Sequence, residues 1–295
     1  MNKVLQNYYT KSANLKEYMV SMLNLSKDDH VLEPCGGTGE FIDSILSINP
    51  LQKIDTIDIN GKDVQTLKDK YSHQKNVKIR KGDTLLDETF NLDSNIGGIY
   101  DKVIGNPPYG AWLDYNYRKQ LKNLYKNLYV KESYLLFLIR SIFLLKNQGR
   151  LVFIIPDTFL YLHSYRDIRT FILKHTRLKE VITFPSSFFG SVDFQYSKLC
   201  IITLEKEQDV NRAKNNVFKV ITGFNSASQI GKDLILKNTN TVFYKQITLL
   251  NTKDRAIMHN KLVYSLNKKA DYTLGDIADC VTGIYTGNNK NIFAY

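Results

Sequence analysis

From His30 to Leu204 the chain alternates short apolar runs with stretches of helical period, and few architectures accept that order. His30–Pro34, Ile54–Ile59, Val77–Lys81, Tyr100–Gly105, Leu151–Ile155, Leu178–Thr183 and Leu199–Leu204 predict strands, being short and mostly rich in Val, Ile and Leu. Between them Glu40–Ile48, Val64–Tyr71, Glu132–Lys146 and Tyr165–Lys174 repeat apolar residues at helical spacing. Strand and helix in regular succession predict an α/β fold, a mostly parallel sheet covered by helices on both faces. After Glu205 the texture changes: EKEQDVNRAKNN is polar, and the strand-like pieces Val217–Ile221 and Thr241–Tyr244 stand among Asn, Thr, Lys and Gly. The chain stops at Tyr295 directly after CVTGIYTGNNKNIF. We therefore expect an α/β domain at 1–205, a polar, strand-containing extension at 206–273, and the opening of a smaller second domain at 274–295.

Composition narrows the function classes. Of 295 residues, 43 % are hydrophobic and 23 % charged, which excludes a disordered, collagenous or disulfide-stapled chain. Forty Lys and Arg against 29 Asp and Glu leave a net +11, an excess that suits a polyanionic partner. A membrane is the weaker option. The longest apolar stretch, Tyr134–Leu145, is interrupted by Arg140 and falls short of the roughly 20 residues a span requires. The N-terminal MNKVLQNYYTKSANL holds no apolar run that could act as a secretory signal. Cys35, Cys200 and Cys280 are odd in number and widely spaced, so a reducing cytoplasm is expected, with neither disulfides nor a metal site.

The chemistry concentrates at predicted strand ends. Val31 to Phe41 (VLEPCGGTGEF) is a strand running through a glycine cluster into a helix, the arrangement that lets a ligand approach the backbone closely. Glu40 stands where a triphosphate loop would place lysine, and GxGxxG is absent. Glu33 points instead to a positively charged ligand, a sulfonium or an amino-acid ammonium. Asp58 ends the second strand, 19 residues after Gly39, where such sheets put a carboxylate on ribose hydroxyls. Asp83 follows the third strand, placed to accept from an adenine amino group. Any one of these acids has a solvated surface residue as its alternative; three after consecutive strands argue for a nucleoside site.

Asn106-Pro107-Pro108-Tyr109 follows the fourth strand. Two prolines fix the backbone and remove two N–H donors, so the local carbonyls point outward with little freedom. The Asn106 amide oxygen and the Pro107 carbonyl then make a rigid acceptor pair for the two hydrogens of an exocyclic NH₂. Tyr109 offers a flat face to the ring that carries the amine. A plain NPP turn with a partly buried tyrosine is the structural alternative.

Taken in this order, the motifs resemble those of the gamma-class adenine-N6 DNA methyltransferases of bacterial restriction–modification systems, from about Asn7 to Glu205. The resemblance implies a Rossmann-like class I fold with a mixed, mainly parallel seven-stranded sheet, and S-adenosylmethionine as cofactor. It implies that Tyr9-Thr10 closes over the cofactor and that EPCGGTG is the methionine-side loop. Glu33 then lies near the ammonium, with Cys35 and Gly37 among the cofactor contacts. It assigns Asp58, followed by Ile59, to the ribose, Asp83 to the adenine amino group and Phe137 to the adenine's surroundings, with Ile155-Pro156 as the apolar strand end nearby. NPPY matches the family's catalytic tetrapeptide without departure. A phenylalanine after the sixth strand stacks on the target base in that family; among Phe184, Phe188, Phe189 and Phe194, the offset from the following strand favours Phe189.

Double-stranded DNA is the partner so implied, with a cognate restriction endonuclease, separate or fused outside these residues, as a second. Arg118, Lys119, Lys122 and Lys126, near Tyr125 and Tyr129 on an expected helix, suit a phosphate backbone, as does the group Arg166, Arg169, Lys174 and Arg177. A solvated basic face is the alternative for both. Base flipping is required for an amine inside a duplex, and no protein nucleophile is needed, so Cys35 is not read as catalytic. RNA adenine, cytosine-N4 and release-factor glutamine methyltransferases remain rivals, as does a catalytically dead DNA-binding module.

Overall fold

The computed structural model describes residues 12–88, 98–110, 113–189, 198–230 and 240–257, with short pieces at 265–266, 269–272 and 274–278. Contacts group Met1–His259 into one unit and Asn260–Tyr295 into another, whose described part includes a helical turn at Leu274–Ile277. The first unit holds the strands β1 (His30–Glu33), β2 (Lys53–Asp58), β3 (Val77–Lys81), β4 (Tyr100–Gly105), β5 (Leu145–Pro156), β6 (Thr176–Pro185), β7 (Lys198–Lys206), β8 (Val217–Thr222) and β9 (Asn240–Lys245). Its helices are α1 (Ala13–Leu23), α2 (Glu40–Ile48), α3 (Gly61–Lys70), α4 (Tyr115–Tyr125), α5 (Ser133–Leu144), α6 (Arg166–His175), α7 (Val210–Asn215) and α8 (Gln246–Leu250).

All nine strands join one sheet in the order β3-β2-β1-β4-β5-β7-β6-β8-β9. The first five are parallel, β7 runs antiparallel between β5 and β6, and β9 is antiparallel to β8. Leu151–Ile155 is fully buried, as expected of a central strand covered on both faces. Strand order reverses between β1 and β4, and the crevice outside the carboxyl ends at such a switch point is where α/β sheets bind ligands.

The sheet is larger than the expected seven strands. β8 lies parallel to β6, pairing Val181 with Val220, and β9 follows on β8. Buried Phe218, Val220 and Ile221 give β8 an apolar contribution that its polar flanks conceal. Gln246 locks this edge: its amide donates to the carbonyls of Leu173 (2.8 Å) and Thr176 (3.0 Å) and accepts from Leu178 N–H (2.8 Å) and Asn216 Nδ2 (2.7 Å).

One of the two expected basic faces does not form. Arg169 is fully buried, and its guanidinium donates to the carbonyls of Phe159 (2.8 Å), Leu162 (2.7 Å) and Asp254 (2.6 Å). Arg177 is spent on Glu205 at 2.8 Å. Five carbonyl-seeking N–H groups make arginine a good internal tie when the chain folds around it, and here it is a tie rather than a phosphate contact. No described helix is long and apolar enough to cross a membrane.

Candidate active site

A cleft opens at the switch point, with about 870 Å³ of empty space when the solvent at its mouth is counted. Glu33, Cys35, Gly37, Asp58, Ile59 and Asp83 line one part of it; Asn106, Pro108 and Phe137 line another. Pro107 and Tyr109 are not among the lining residues, and Tyr109 is 1 % exposed, so its ring presents no open face in this structure. Ile155 and Pro156 are buried at the end of β5. Tyr9, Thr10 and Phe194 lie outside the described residues, as does the side chain of Phe189, whose backbone closes the turn Ser186–Phe189 after β6.

The glycine turn is dictated by close approach. Gly36 N–H donates to the Ile57 carbonyl at 3.0 Å, and a Cβ on Gly36 would stand 2.1 Å from Thr56 Oγ1. Gly39 caps α2 with φ +82°, a region that L side chains rarely adopt. Asp58 shapes the same turn, one carboxylate oxygen accepting from Gly37 N–H and the other from Asn60 N–H, both at 2.8 Å. Burial nevertheless holds the Asp58 carboxyl above its ordinary range, against the pull of those two N–H groups.

Glu33 is strongly perturbed. It is buried, and its Oε2 has no hydrogen-bond partner among the described residues. Desolvation first, then the charges of Asp58 and Glu40, push its carboxyl well above the usual value. Glu33, Glu40, Asp58 and Asp83 all line the cleft, and no Lys, Arg or His does among the described residues. An unpaired buried carboxylate in an acidic cleft is chemically a seat for a cation. The Cys35 thiol is driven up by desolvation and then by Glu33 and Asp58, with the Asn106 backbone opposing, so it is no thiolate nucleophile at neutral pH.

Asn106 follows Gly105, where a Cβ would reach 3.2 Å from the Phe153 ring, so the strand end sits hard against β5. Ser133 Oγ, at the start of α5, donates to the Pro108 carbonyl at 2.6 Å and fixes the tetrapeptide from below. The loop after β3 is pinned as tightly. Thr84 Oγ1 donates to the Pro34 carbonyl (2.6 Å), Tyr125 to the Leu85 carbonyl (3.2 Å), and Arg140 to the carbonyls of Thr84 (3.1 Å) and Asp87. Tyr117 lines the cleft and hydrogen-bonds Asp83; its own burial first, and then the Asp83 charge, hold the phenol far above its normal range. Sequence reasoning passed over Glu40, Tyr117, Ser133 and Arg140 as parts of this site.

Residues 3–189, more than half of the chain, match the family model described as Eco57I restriction-modification methylase. The chain belongs to this family. Among its curated relatives, the type II methyltransferase M.HincII of Haemophilus influenzae is 27 % identical over 192 residues, covering 63 % of this chain and 34 % of that protein. M.AccI of Acinetobacter calcoaceticus is 27 % identical over 270 residues, covering 88 % of this chain and 47 % of that protein. The chain thus spans between a third and a half of the length of these relatives. A putative class I S-adenosylmethionine-dependent methyltransferase from Listeria monocytogenes superposes with a TM-score of 0.56 at 18 % identity, over 70 % of this chain and 64 % of that one. The fold is accordingly that of class I methyltransferases, as the resemblance implied. Family and fold imply S-adenosylmethionine as cofactor. The residues fit it: an unpaired buried Glu33 oxygen and an all-acidic set of charged side chains suit a cationic amino-acid nucleoside.

Proposed function

We propose that this chain carries the catalytic part of a site-specific DNA adenine-N6 methyltransferase. When bound, S-adenosylmethionine supplies an electrophilic methyl group on a sulfonium. Glu33 holds the ammonium end, Asp58 the ribose hydroxyls and Asp83 the adenine amino group, with Ile59 and Phe137 against the ring. Tyr9 and Thr10 cover the cofactor. The Asn106 amide oxygen and the Pro107 carbonyl would accept hydrogen bonds from the two N6 hydrogens of the flipped adenine and turn its lone pair toward the methyl group. Forming the N6–methyl bond would break the methyl–sulfur bond, and one N6 proton would pass to solvent. Positioning and fixed dipoles supply the catalysis, with no covalent intermediate on the protein. Stacking of the base on Tyr109 and Phe189 offsets part of the cost of flipping, at about 1–3 kcal/mol per contact. Because Tyr109 is 1 % exposed here, its share of that stacking requires a change around the ring when DNA binds.

The observation that supports this reading best is the meeting of Asn106 with Glu33, Asp58 and Asp83 in one cleft at the switch point. The test is modification mapping of host DNA with the wild-type protein and with Asn106→Ala. One short motif should lose N6-methyladenine in the variant. An unchanged map overturns the assignment, and N4-methylcytosine in nucleoside digests of the modified DNA would move the target to cytosine.

A further inference from the structure

The helix α4 has two unlike faces. Tyr117, Leu121 and Tyr125 recur at four-residue intervals, so they share one stripe. Leu121 and Tyr125 are buried, and both tyrosine hydroxyls end on the loop after β3, Tyr117 on Asp83 and Tyr125 on the Leu85 carbonyl at 3.2 Å. Lys119 and Lys122 stand on the other side of the helix, exposed, and make no ion pair among the described residues. Asp114 starts the helix by accepting from Tyr117 N–H at 2.9 Å, so the cleft-lining tyrosine is fixed at the first turn. The loop that α4 grips is held from its other side by Arg140 of α5, fully buried and donating to the Thr84 and Asp87 carbonyls. That loop belongs to the cofactor cleft through Asp83, Thr84 and Leu85. A buried guanidinium is costly, and here it fixes the loop backbone beside the cleft at the Thr84 and Asp87 carbonyls.

We propose that α4 couples the nucleic-acid face to the cofactor cleft, with Tyr117 and Tyr125 as positioning residues on the cofactor loop and Lys119 and Lys122 on the phosphates of duplex DNA. This inference rests on the DNA reading above. The cofactor's contact with Asp83 and the phosphates' contact with the lysines both favour the same seated helix, so each ligand strengthens the other. Linkage requires the strengthening to be equal in both directions.

The experiment uses the full chain with S-adenosylhomocysteine, which cannot donate a methyl group, and a mixed-sequence duplex at low salt. Calorimetry gives the affinity for the nucleoside with and without DNA. The wild type should bind it at least about fivefold more tightly on DNA, within the usual span of coupling between sites. In the double variant Tyr117→Phe/Tyr125→Phe that ratio should fall close to one while the melting temperature stays near wild type. Lys119→Gln with Lys122→Gln should lower the ratio as well and leave nucleoside affinity without DNA unchanged. It should also reduce the salt dependence of DNA binding by about two phosphate contacts. A wild-type ratio of one on bound DNA overturns the coupling alone, and so does a lysine variant that keeps the full ratio. A wild type that binds no DNA removes the DNA reading, and this inference with it.

Discussion

Two buried glutamates show how differently the halves of the sheet treat charge. Glu205, on β7, accepts from Arg150 at 2.6 Å and Arg177 at 2.8 Å and stands 3.2 Å from Lys179. Burial alone would raise its carboxyl, yet Arg150 and Lys179 overcome that and hold it below the usual range. Glu33, at the end of β1, is buried more deeply and has no cation beside its Oε2 among the described residues, and its carboxyl is held far above that range. Gln246 and Arg169, in the same half, are likewise each surrounded by carbonyl or amide partners. The switch-point cleft leaves a donor set incomplete. Internal saturation marks scaffold, and an unpaired buried acceptor among like charges marks a candidate ligand site.

The largest effect should come from the cleft. Asn106→Ala removes one rigid acceptor from the amine clamp and should cut turnover about 10²–10³-fold, as loss of a single preorganised hydrogen-bonding group typically does. Cofactor affinity and melting temperature should change little, since Ser133 holds the tetrapeptide through the Pro108 carbonyl rather than through the Asn106 side chain. Single-turnover rates on DNA and a thermal melt check both halves. A variant that loses fold and activity together would make Asn106 scaffold and erase the contrast.

Next in size is Glu205→Gln on the scaffold side. Breaking a buried ion cluster that also includes Arg150 and Arg177 should cost about 3 kcal/mol at neutral pH. Because the folded carboxyl titrates below its unfolded value, its contribution is present above the unfolded pKa and is lost as pH falls through the folded one. The difference between variant and wild type should therefore shrink in acid, as read by urea unfolding at several pH values. Cofactor affinity should not move.

The same contrast explains what could be read from the chain. Most of the strands β1 to β7 were legible as short runs rich in Val, Ile and Leu, although edge strand β3 (VKIRK) is largely exposed and β7 is antiparallel. Glu33, Asp58, Asp83 and Asn106 drew notice because each stands at or just after a strand's carboxyl end. The edge pairing of β8 and β9 was not, because it depends on β6 and on Gln246 reaching residues some 70 positions away in sequence. α1 was missed although Leu15, Met19 and Leu23 recur at four-residue intervals, since Asn14, Lys16 and Glu17 break up the surrounding pattern. Arginine misled in both directions. Arg169 looked like a surface cation and is an internal tie, while Arg140 looked like an interruption of a core helix and fixes the cleft-lining loop after β3. A lone arginine within an apolar helix had to find carbonyl partners once buried, and that was the available signal.

The smallest effect tests the unpaired Glu33 carboxyl itself. The Glu33 carboxyl of the cofactor-free protein titrates above its unfolded value, about 4.3 for glutamate, because burial and then Asp58 penalise the charged form. Such a group contributes stability in full below the unfolded pKa and loses it as pH rises through the folded one. The cofactor-free protein should therefore lose stability with rising pH across that window, and Glu33→Gln should remove the loss. Cofactor binding carries the opposite sign. A cation placed beside Glu33 favours the carboxylate, so binding releases a proton and affinity climbs with pH until the free-state pKa is passed. Calorimetry in buffers of different ionisation heat should show that proton for the wild type and none for Glu33→Gln, whose affinity above the window should be about tenfold weaker, in line with one lost charge-assisted hydrogen bond. A glutamine variant that keeps both the affinity and the pH slope would show that Glu33 is satisfied from within, and the two glutamates would then differ only in how the fold pays for them.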